Sequence, residues 1–433
     1  MKTRLALLIA LCLLLPLGTA RAQVPASAPA EGALRVFFDC NSFLCDFDFF
    51  RREIDWVDYM RDRQDADVHV LVTTQPTGGG GTEFTLRFIG QRRFAGRDNL
   101  LRYTSRQTDS EDQVRRGLLR VLKAGLVPYA VDTPAGERIQ IGYAAEKAAA
   151  ATPAAPVRDP WNYWTFSVGV NGFFNGEQTY SSMNLNGSAS ANRTTEALKI
   201  NLGVNNRYSE QSFELRDGRT ITNIQRNYGV RGLAVWSLGA NWSAGGRASA
   251  TSSTFLNQDL AVRIAPAIEF NVFPYAQSSE RQLTLQYSPG VNHFDYEELT
   301  IFGETEEMRF DQTLRVSYDV KQPWGSINTS AEAAHFFHDL SKNRLELGGG
   351  VNLRLVKGLQ FRVSGNAARV RDQLYLPAGN LPIEEILLRQ RQLQTAYRYF
   401  GSVGLSYTFG SIFNNVVNPR FGNTGGGGSC FCF

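Results

Sequence analysis

The stretch Tyr397-Arg398-Tyr399-Phe400-Gly401-Ser402-Val403-Gly404-Leu405-Ser406-Tyr407-Thr408-Phe409 decides how this chain is read. Its odd positions are aromatic or aliphatic apart from one glycine, and its even positions are mostly polar or small. A period of two turns each set to its own face of a β-strand. Stretches with the same alternation recur upstream at 164–170, 183–189, 198–204, 230–238, 242–250, 260–272, 283–291, 310–320, 327–337, 345–355 and 359–367. The pattern therefore predicts an antiparallel array of about twelve strands over residues 161–410, with ten to fourteen as rough bounds.

Strands that alternate apolar and polar at this length are what a barrel in lipid requires. No stretch beyond the first residues is a continuous apolar run of the roughly twenty residues a spanning helix needs. In a bilayer that leaves a closed barrel, because an open sheet edge would expose unpaired backbone groups to hydrocarbon. The connections alternate in length as well. Those at 238–241, 274–280, 322–325 and 356–358 are mostly tight, and every second connection is often longer, as at 216–219, 296–307 and 374–394. In such barrels short turns face the periplasm and long loops face outward. An even strand number then leaves both chain ends on the periplasmic side. Soluble β-sandwiches share the alternation; the aromatic residues near strand ends favour lipid.

The last strand resembles the signal read by the outer-membrane barrel-assembly machinery: a polar residue, glycine two on, and aromatics five and seven on. Ser402, Gly404, Tyr407 and Phe409 fill it. The chain as a whole resembles bacterial (Gram-negative) porin-like outer-membrane barrels. That resemblance implies outer-membrane localisation, with bilayer lipid and the assembly machinery as partners. Here the chain runs on through a tail, residues 411–433, that ends Phe431-Cys432-Phe433 and competes as a recognition signal.

Upstream of the array, residues 1–22 read as a secretory signal peptide. Lys2 and Arg4 precede an apolar core at 5–15, and Ala20-Arg21-Ala22 fits small-x-small cleavage. A Pro/Ala-rich leader (23–32) follows, then a small α/β unit (33–143) and an Ala/Pro-rich linker (144–160). In that unit 34–38, 68–74, 84–89 and 100–104 read as strands, with glycines 78–81 as a turn. Residues 47–60 carry apolar side chains at helical spacing, and Ser110 caps a second helix ending near Leu126. The order β-α-β-β-β-α resembles periplasmic interaction domains such as the amino-terminal domain of TolB. The resemblance implies a periplasmic protein or the peptidoglycan as a further partner.

Cys40 and Cys45 are close enough in sequence for a small disulfide loop in an oxidising compartment. Free thiols and a metal site are the alternatives, and no His stands at ligand spacing beside Cys40 and Cys45 or beside Cys430 and Cys432. No metal or other cofactor is expected. The formal charge of +4 is scattered, so nucleic acid is not an expected partner. Catalysis is not expected either. His293, His335 and His338 lie near Asn292 and Asn328, but no His sits two residues from a Ser as in outer-membrane phospholipases. Glycines 78–81 are not followed by the Lys-Ser/Thr of a phosphate loop.

If the apolar set faces lipid, the inward set includes Lys199 and a basic wall of Arg207, Arg231, Arg247, Arg263, Arg315, Arg344, Arg354, Arg362 and Arg398. Inward acids are fewer: Glu269, Asp311, Asp319, Glu332 and Glu346. Unbalanced Arg in a narrow channel concentrates anions, and Arg grips carboxylate and phosphate in a two-pronged way. The expected function is a narrow passive channel for small anionic solutes. The alternative is a non-conducting outer-membrane anchor whose periplasmic domain binds a protein or cell-wall partner.

Overall fold

The computed structural model describes residues 32–40, 42, 44–139, 159–215, 217–379, 392–413 and 415. The signal peptide, most of the leader and linker, and Cys430 and Cys432 lie outside the described residues. The chain is mainly β, with a small α/β unit followed by a twelve-stranded antiparallel sheet.

The α/β unit is built from β1 (Leu34–Cys40), α1 (Phe47–Glu53), β2 (Val57–Tyr59), β3 (Val68–Pro76), β4 (Thr82–Gly90), β5 (Asn99–Thr104) and α2 (Glu111–Ala130). Its sheet runs β2-β1-β3-β4-β5, with β1 parallel to both neighbours and β3-β4-β5 antiparallel. Asp46 caps α1 by accepting from the Phe49 amide. Ser110 and Gln113 form a reciprocal capping box on α2, which satisfies two otherwise orphaned donors. Val114, Leu118, Leu122 and Leu126 recur every fourth residue, so one face of α2 is apolar. That face closes on Phe84, Leu86 and Phe88 in a core shared with α1 and β1. Gly125 allows this approach, because a Cβ there would meet the Phe88 ring. Cys40 and Cys45 are joined by a disulfide between the end of β1 and the start of α1.

The helix expected over residues 47–60 stops at Glu53, and Val57–Tyr59 instead forms an extra edge strand paired in parallel with Leu34–Val36. The apolar positions Ile54 and Val57 fit either period. The free hydrogen-bonding edge of β1 decides for the strand, and the Tyr59 hydroxyl ties it back by donating to the Phe50 carbonyl. The order is thus β-α-β-β-β-β-α rather than β-α-β-β-β-α.

The large sheet contains β6 (Trp164–Glu177), β7 (Tyr180–Thr194), β8 (Leu198–Glu214), β9 (Thr220–Ser237), β10 (Trp242–Ser253) and β11 (Gln258–Asn271). It continues with β12 (Arg281–Tyr296), β13 (Glu306–Gln322), β14 (Gly325–Phe336), β15 (Asp339–Val356), β16 (Leu359–Val370) and β17 (Tyr397–Tyr407). Each strand pairs antiparallel with the next in sequence, and each alternating stretch of the sequence falls in a strand of its own. β6 and β17 are the two edges; among the described residues no ladder joins them. The register keeps the two faces separate. Val204 is opposite Val230, Val230 opposite Ala250, and Ala250 opposite Val262. Seven residues further along β11, on the other face, Glu269, Gln286, Arg315, Glu332 and Glu346 follow one another across five strands. The apolar face is exposed: Val168, Ile264, Leu347 and Tyr399 are 81%, 55%, 57% and 77% accessible. Soluble monomers rarely show an apolar patch beyond a few hundred Å².

The core of the α/β unit lies within its own residues, so the fragment 33–143 is expected to fold when expressed alone. Far-ultraviolet circular dichroism should show one cooperative thermal transition. Gly125→Leu should destabilise the fragment by about 1–3 kcal/mol through overpacking against Phe88. A flat, non-cooperative melt of the unsubstituted fragment would mean that the unit folds only against the large sheet.

Candidate functional site

The alternation of β1 and β3 gives the small sheet two unlike faces. Leu34, Val36 and Phe38 enter the core beneath the helices. Arg35, Phe37 and Asp39, with His69, Leu71 and Thr73, take the other face, as the period of two demands. His69 is nevertheless fully buried, and Leu71 and Thr73 nearly so. The large sheet covers them.

The centre of the contact is charged. Arg354 on β15 grips Asp39 with both prongs, Nη1 to Oδ2 at 2.6 Å and Nη2 to Oδ1 at 2.6 Å. Its guanidinium lies 5.5 Å from the Phe37 ring centroid, and Nη1 also donates to the Pro323 carbonyl. His69 Nε2 stands 3.2 Å from Asp39 Oδ2. Burial opposes ionisation of Asp39, but the hydrogen bonds from His69 and Arg354 prevail and hold its carboxyl below the usual carboxylate range. A cavity of about 520 Å³ opens beside this cluster, between Leu71–Thr74 of β3 and the ends of β13–β15.

Further contacts follow the rim of short turns. At the end of β7, Thr194 packs on Gly78 so closely that a side chain there would collide. After β11, Ser278 accepts from Gln75 at 3.1 Å and Glu280 pairs with Arg87 at 3.4 Å. After β15, Lys357 pairs with Asp65 at 2.6 Å and the Gly358 amide donates to Asp62 at 3.0 Å. After β17, the chain runs along the open edge of β2. The Arg61 amide donates to the Ile412 carbonyl, Met60 bridges Phe413, and Asn415 caps Asp58 and Tyr59. The domain therefore touches the sheet from the β7–β8 turn to the exit of the last strand. At the opposite rim the long β16–β17 connection crosses to its neighbours. The Ala378 amide donates to Leu299, the Ile301 amide to Leu376, and the Gln392 amide to Phe255.

The expected basic wall divides in two. Arg263 pairs with Asp311 at 3.0 Å, across Gly290, whose missing side chain leaves the path open. Arg315 pairs with Glu332 at 3.4 Å, Arg344 with Asp372 at 2.9 Å, and Arg398 with Glu346 at 3.2 Å over the small Ala368. Arg362 donates to Gln360. Arg344, Arg354, Arg362 and Arg398 do occupy consecutive strands, but not one patch. Arg398 shares a row with Ala368 and Glu346, beside Arg344 at the long-loop end, whereas Arg354 and Arg362 stand at the domain end. Their summed field is broken up by Glu346, Asp372 and Asp39. Lys199, Arg207, Arg231 and Arg247, on β8–β10, lie on the same polar face and remain exposed. In the terminal motif, Tyr407 and Phe409 stack at 5.6 Å between centroids and are exposed, and Ser402 and Gly404 sit on the polar side of β17.

Sequence reading missed Asp39, His69, Asp62, Asp65 and Lys357. A charged Asp and a His inside two strongly apolar strands were the available signal, since such groups are seldom buried unless paired.

No protein-family model matches the chain, and no curated protein matches it. Among solved structures it is similar to the translocator domain of the autotransporter NalP from Neisseria meningitidis, at 12% identity over 57% of this chain and 82% of that one, with a TM-score of 0.19. It is also similar to the beta domain of the Bordetella autotransporter Brka, at 13% identity over 57% and 97%, with a TM-score of 0.23. Superposition at that level carries no argument about function.

The folded pKa of Asp39 lies below its unfolded value. Its stabilisation of the docked domain is therefore complete above the usual carboxylate range and is lost as pH falls through the depressed folded value. Protection from hydrogen exchange over residues 34–40 in the full chain, taken against the unfolded chain at the same pH, should be high at neutral pH and fall at strongly acid pH. Arg354→Gln removes one partner of a buried pair, a change worth about 3–5 kcal/mol. It should quicken exchange there already at neutral pH. Unchanged protection in that variant would mean that Arg354 does not hold the domain.

Proposed function

We propose that this chain is an outer-membrane β-barrel protein that passes small anionic solutes, with its amino-terminal domain resting on the periplasmic side across the mouth. The observation that carries the reading is the exposed apolar face of the twelve-stranded sheet. Such a face is stable in hydrocarbon, where it replaces lipid contacts at no cost in hydration. In a bilayer the edges β6 and β17 cannot stay unpaired. An even number of strands in an antiparallel array makes them antiparallel to each other, so they close the barrel by pairing. The polar face then becomes the lumen, and the tight turns, the linker side and the docked domain share one rim, the periplasmic one.

The alternative is a non-conducting anchor that presents the domain to a periplasmic protein or to peptidoglycan. Contacts from the β7–β8 turn to Asn415 favour it, because a domain seated around the rim narrows the entrance. So do the ion pairs that fill β11–β17. Planar-bilayer recording of the purified full chain separates the two. The passage reading expects discrete conductance steps, and longer open times in Arg354→Gln, whose domain is less firmly held. Silence from both the parent chain and Arg354→Gln would leave the anchor reading in its place.

Export is tested separately. Tyr407→Ala with Phe409→Ala removes both aromatic positions of the assembly signal, and should lower the amount of folded, heat-modifiable barrel in the outer membrane several-fold. Normal assembly of that double variant would move the signal elsewhere, with Phe433 the next residue to test.

A further inference from the structure

Charge is distributed unevenly over the polar face of the large sheet. On β11–β17 most cations stand against acids, as in Arg263–Asp311, Arg315–Glu332 and Arg398–Glu346. On β8–β10 the same face carries Lys199, Arg207, Arg231 and Arg247, all exposed, and its remaining positions within these strands hold no Asp or Glu. Among the described residues, none of these cations is within ion-pair distance of an acid.

The register places them on a staircase. Lys199 lies in the row of Val235 and Gly245. Arg247 lies in the next row, with Leu233 and Asn201, and Arg231 in the row after that, with Gly203 and Ser249. Arg207 stands further on, opposite Asn227. Successive rows on one face are about 7 Å apart, so the staircase spans about 27 Å from the domain-side rim towards the long-loop side. At its foot, Lys199 and Arg247 line a single cavity of about 550 Å³, within the range that takes small organic ligands. Leu233, Val235 and Ala267 supply apolar lining. Two acids also line it, Glu196 in the β7–β8 turn and Glu269; one Glu269 oxygen accepts from the Tyr275 hydroxyl and the other from the Gln286 amide, each at 2.9 Å. Both Glu269 oxygens are thus engaged by other partners.

We infer that Lys199 and Arg247 form a binding site for a small organic oxyanion, a carboxylate or a phosphate ester, and that Arg231 and Arg207 continue it as a stepwise path along β8–β10. This rests on the reading of the polar face as a water-filled lumen. Arg offers planar, two-pronged recognition of both oxyanions. Rises of about 7 Å from Lys199 to Arg247 and from Arg247 to Arg231 let a bound anion approach the next cation before it has left the last, which permits passage rather than trapping; Arg207 lies a double rise, about 14 Å, beyond Arg231.

The test uses the full-length chain with Cys430→Ser and Cys432→Ser, reconstituted in liposomes. One reporter, Ser249→Cys, stands in the Arg231 row; the other, Ser330→Cys, stands on the same face of β14. Each is treated with a sulfonate-bearing and with a trimethylammonium-bearing methanethiosulfonate, and modification is read by mass spectrometry. The ratio of anionic to cationic rate should be about tenfold higher at Ser249→Cys, the lower end of what a focused potential produces. That excess should vanish when Lys199→Gln, Arg231→Gln and Arg247→Gln are added. Inorganic phosphate should slow the anionic reagent at Ser249→Cys more than chloride does at equal ionic strength. Equal ratios at the two reporters would overturn the staircase while leaving the lumen reading intact. Phosphate no more effective than chloride would overturn the binding site. No modification of either reporter in the folded protein would overturn the lumen reading and the inference together.

Discussion

A β-strand turns successive side chains to opposite faces, and everything in this molecule depends on that alternation being kept through a twelve-stranded sheet. A slip of one residue in any ladder would carry a row of valines and leucines to the polar side and a row of arginines to the other. The register holds the rows in place: Val204, Val230, Ala250 and Val262 align on one face while Gln286, Arg315, Glu332 and Glu346 align on the other. The apolar rows need a hydrocarbon solvent. The polar rows need water or one another. A bilayer with a wet interior supplies both at once, which is why the proposed location follows from the sheet rather than from any single residue.

The second organising contact is the buried Asp39 carboxylate. It stands on the face of the small sheet that the helices leave uncovered, and alone it would be costly to bury. Arg354 and His69 compensate it, and the surrounding contacts at Lys357, Gly358, Ser278 and Asn415 then fix the domain at several points of the same rim. Arg354 is thereby withdrawn from the charge of the polar face. The electrostatics of that face and the docking of the domain are coupled through one guanidinium. Lys199, Arg207, Arg231 and Arg247 stand on β8–β10, strands whose polar face holds no Asp or Glu, and among the described residues none of the four is in an ion pair.

The strands were legible in the sequence because their signal is local: six or seven alternating residues suffice to place a strand and both of its faces. The cap at Ser110 and the turn at glycines 78–81 are local in the same sense. What was not legible is what depends on distance along the chain. Asp39 and Arg354 are 315 residues apart, and nothing near either names the other. The charge pairing needed the register. Arg398 and Glu346 are two strands apart, about 10 Å, and meet because Ala368 between them is small. Arg263 and Asp311 meet because residue 290 is glycine. The strand at Val57–Tyr59 looks helical in the sequence because Ile54 and Val57 satisfy both periods, and only the parallel edge of β1 settles which one is used.

The proposed mouth depends on the domain being seated against the rim formed by the short turns. Lys357 Nζ and Asp65 lie 2.6 Å apart across that junction, close enough for a carbodiimide to join them directly as an amide. Applied to the full chain in outer-membrane vesicles, the reagent should yield a cross-linked peptide pair containing Lys357 and Asp65, identified by mass spectrometry and depleted in Arg354→Gln. Absence of that pair, with Lys357 freely acylated by an added reagent, would contradict the docked arrangement and the reading of the mouth built on it.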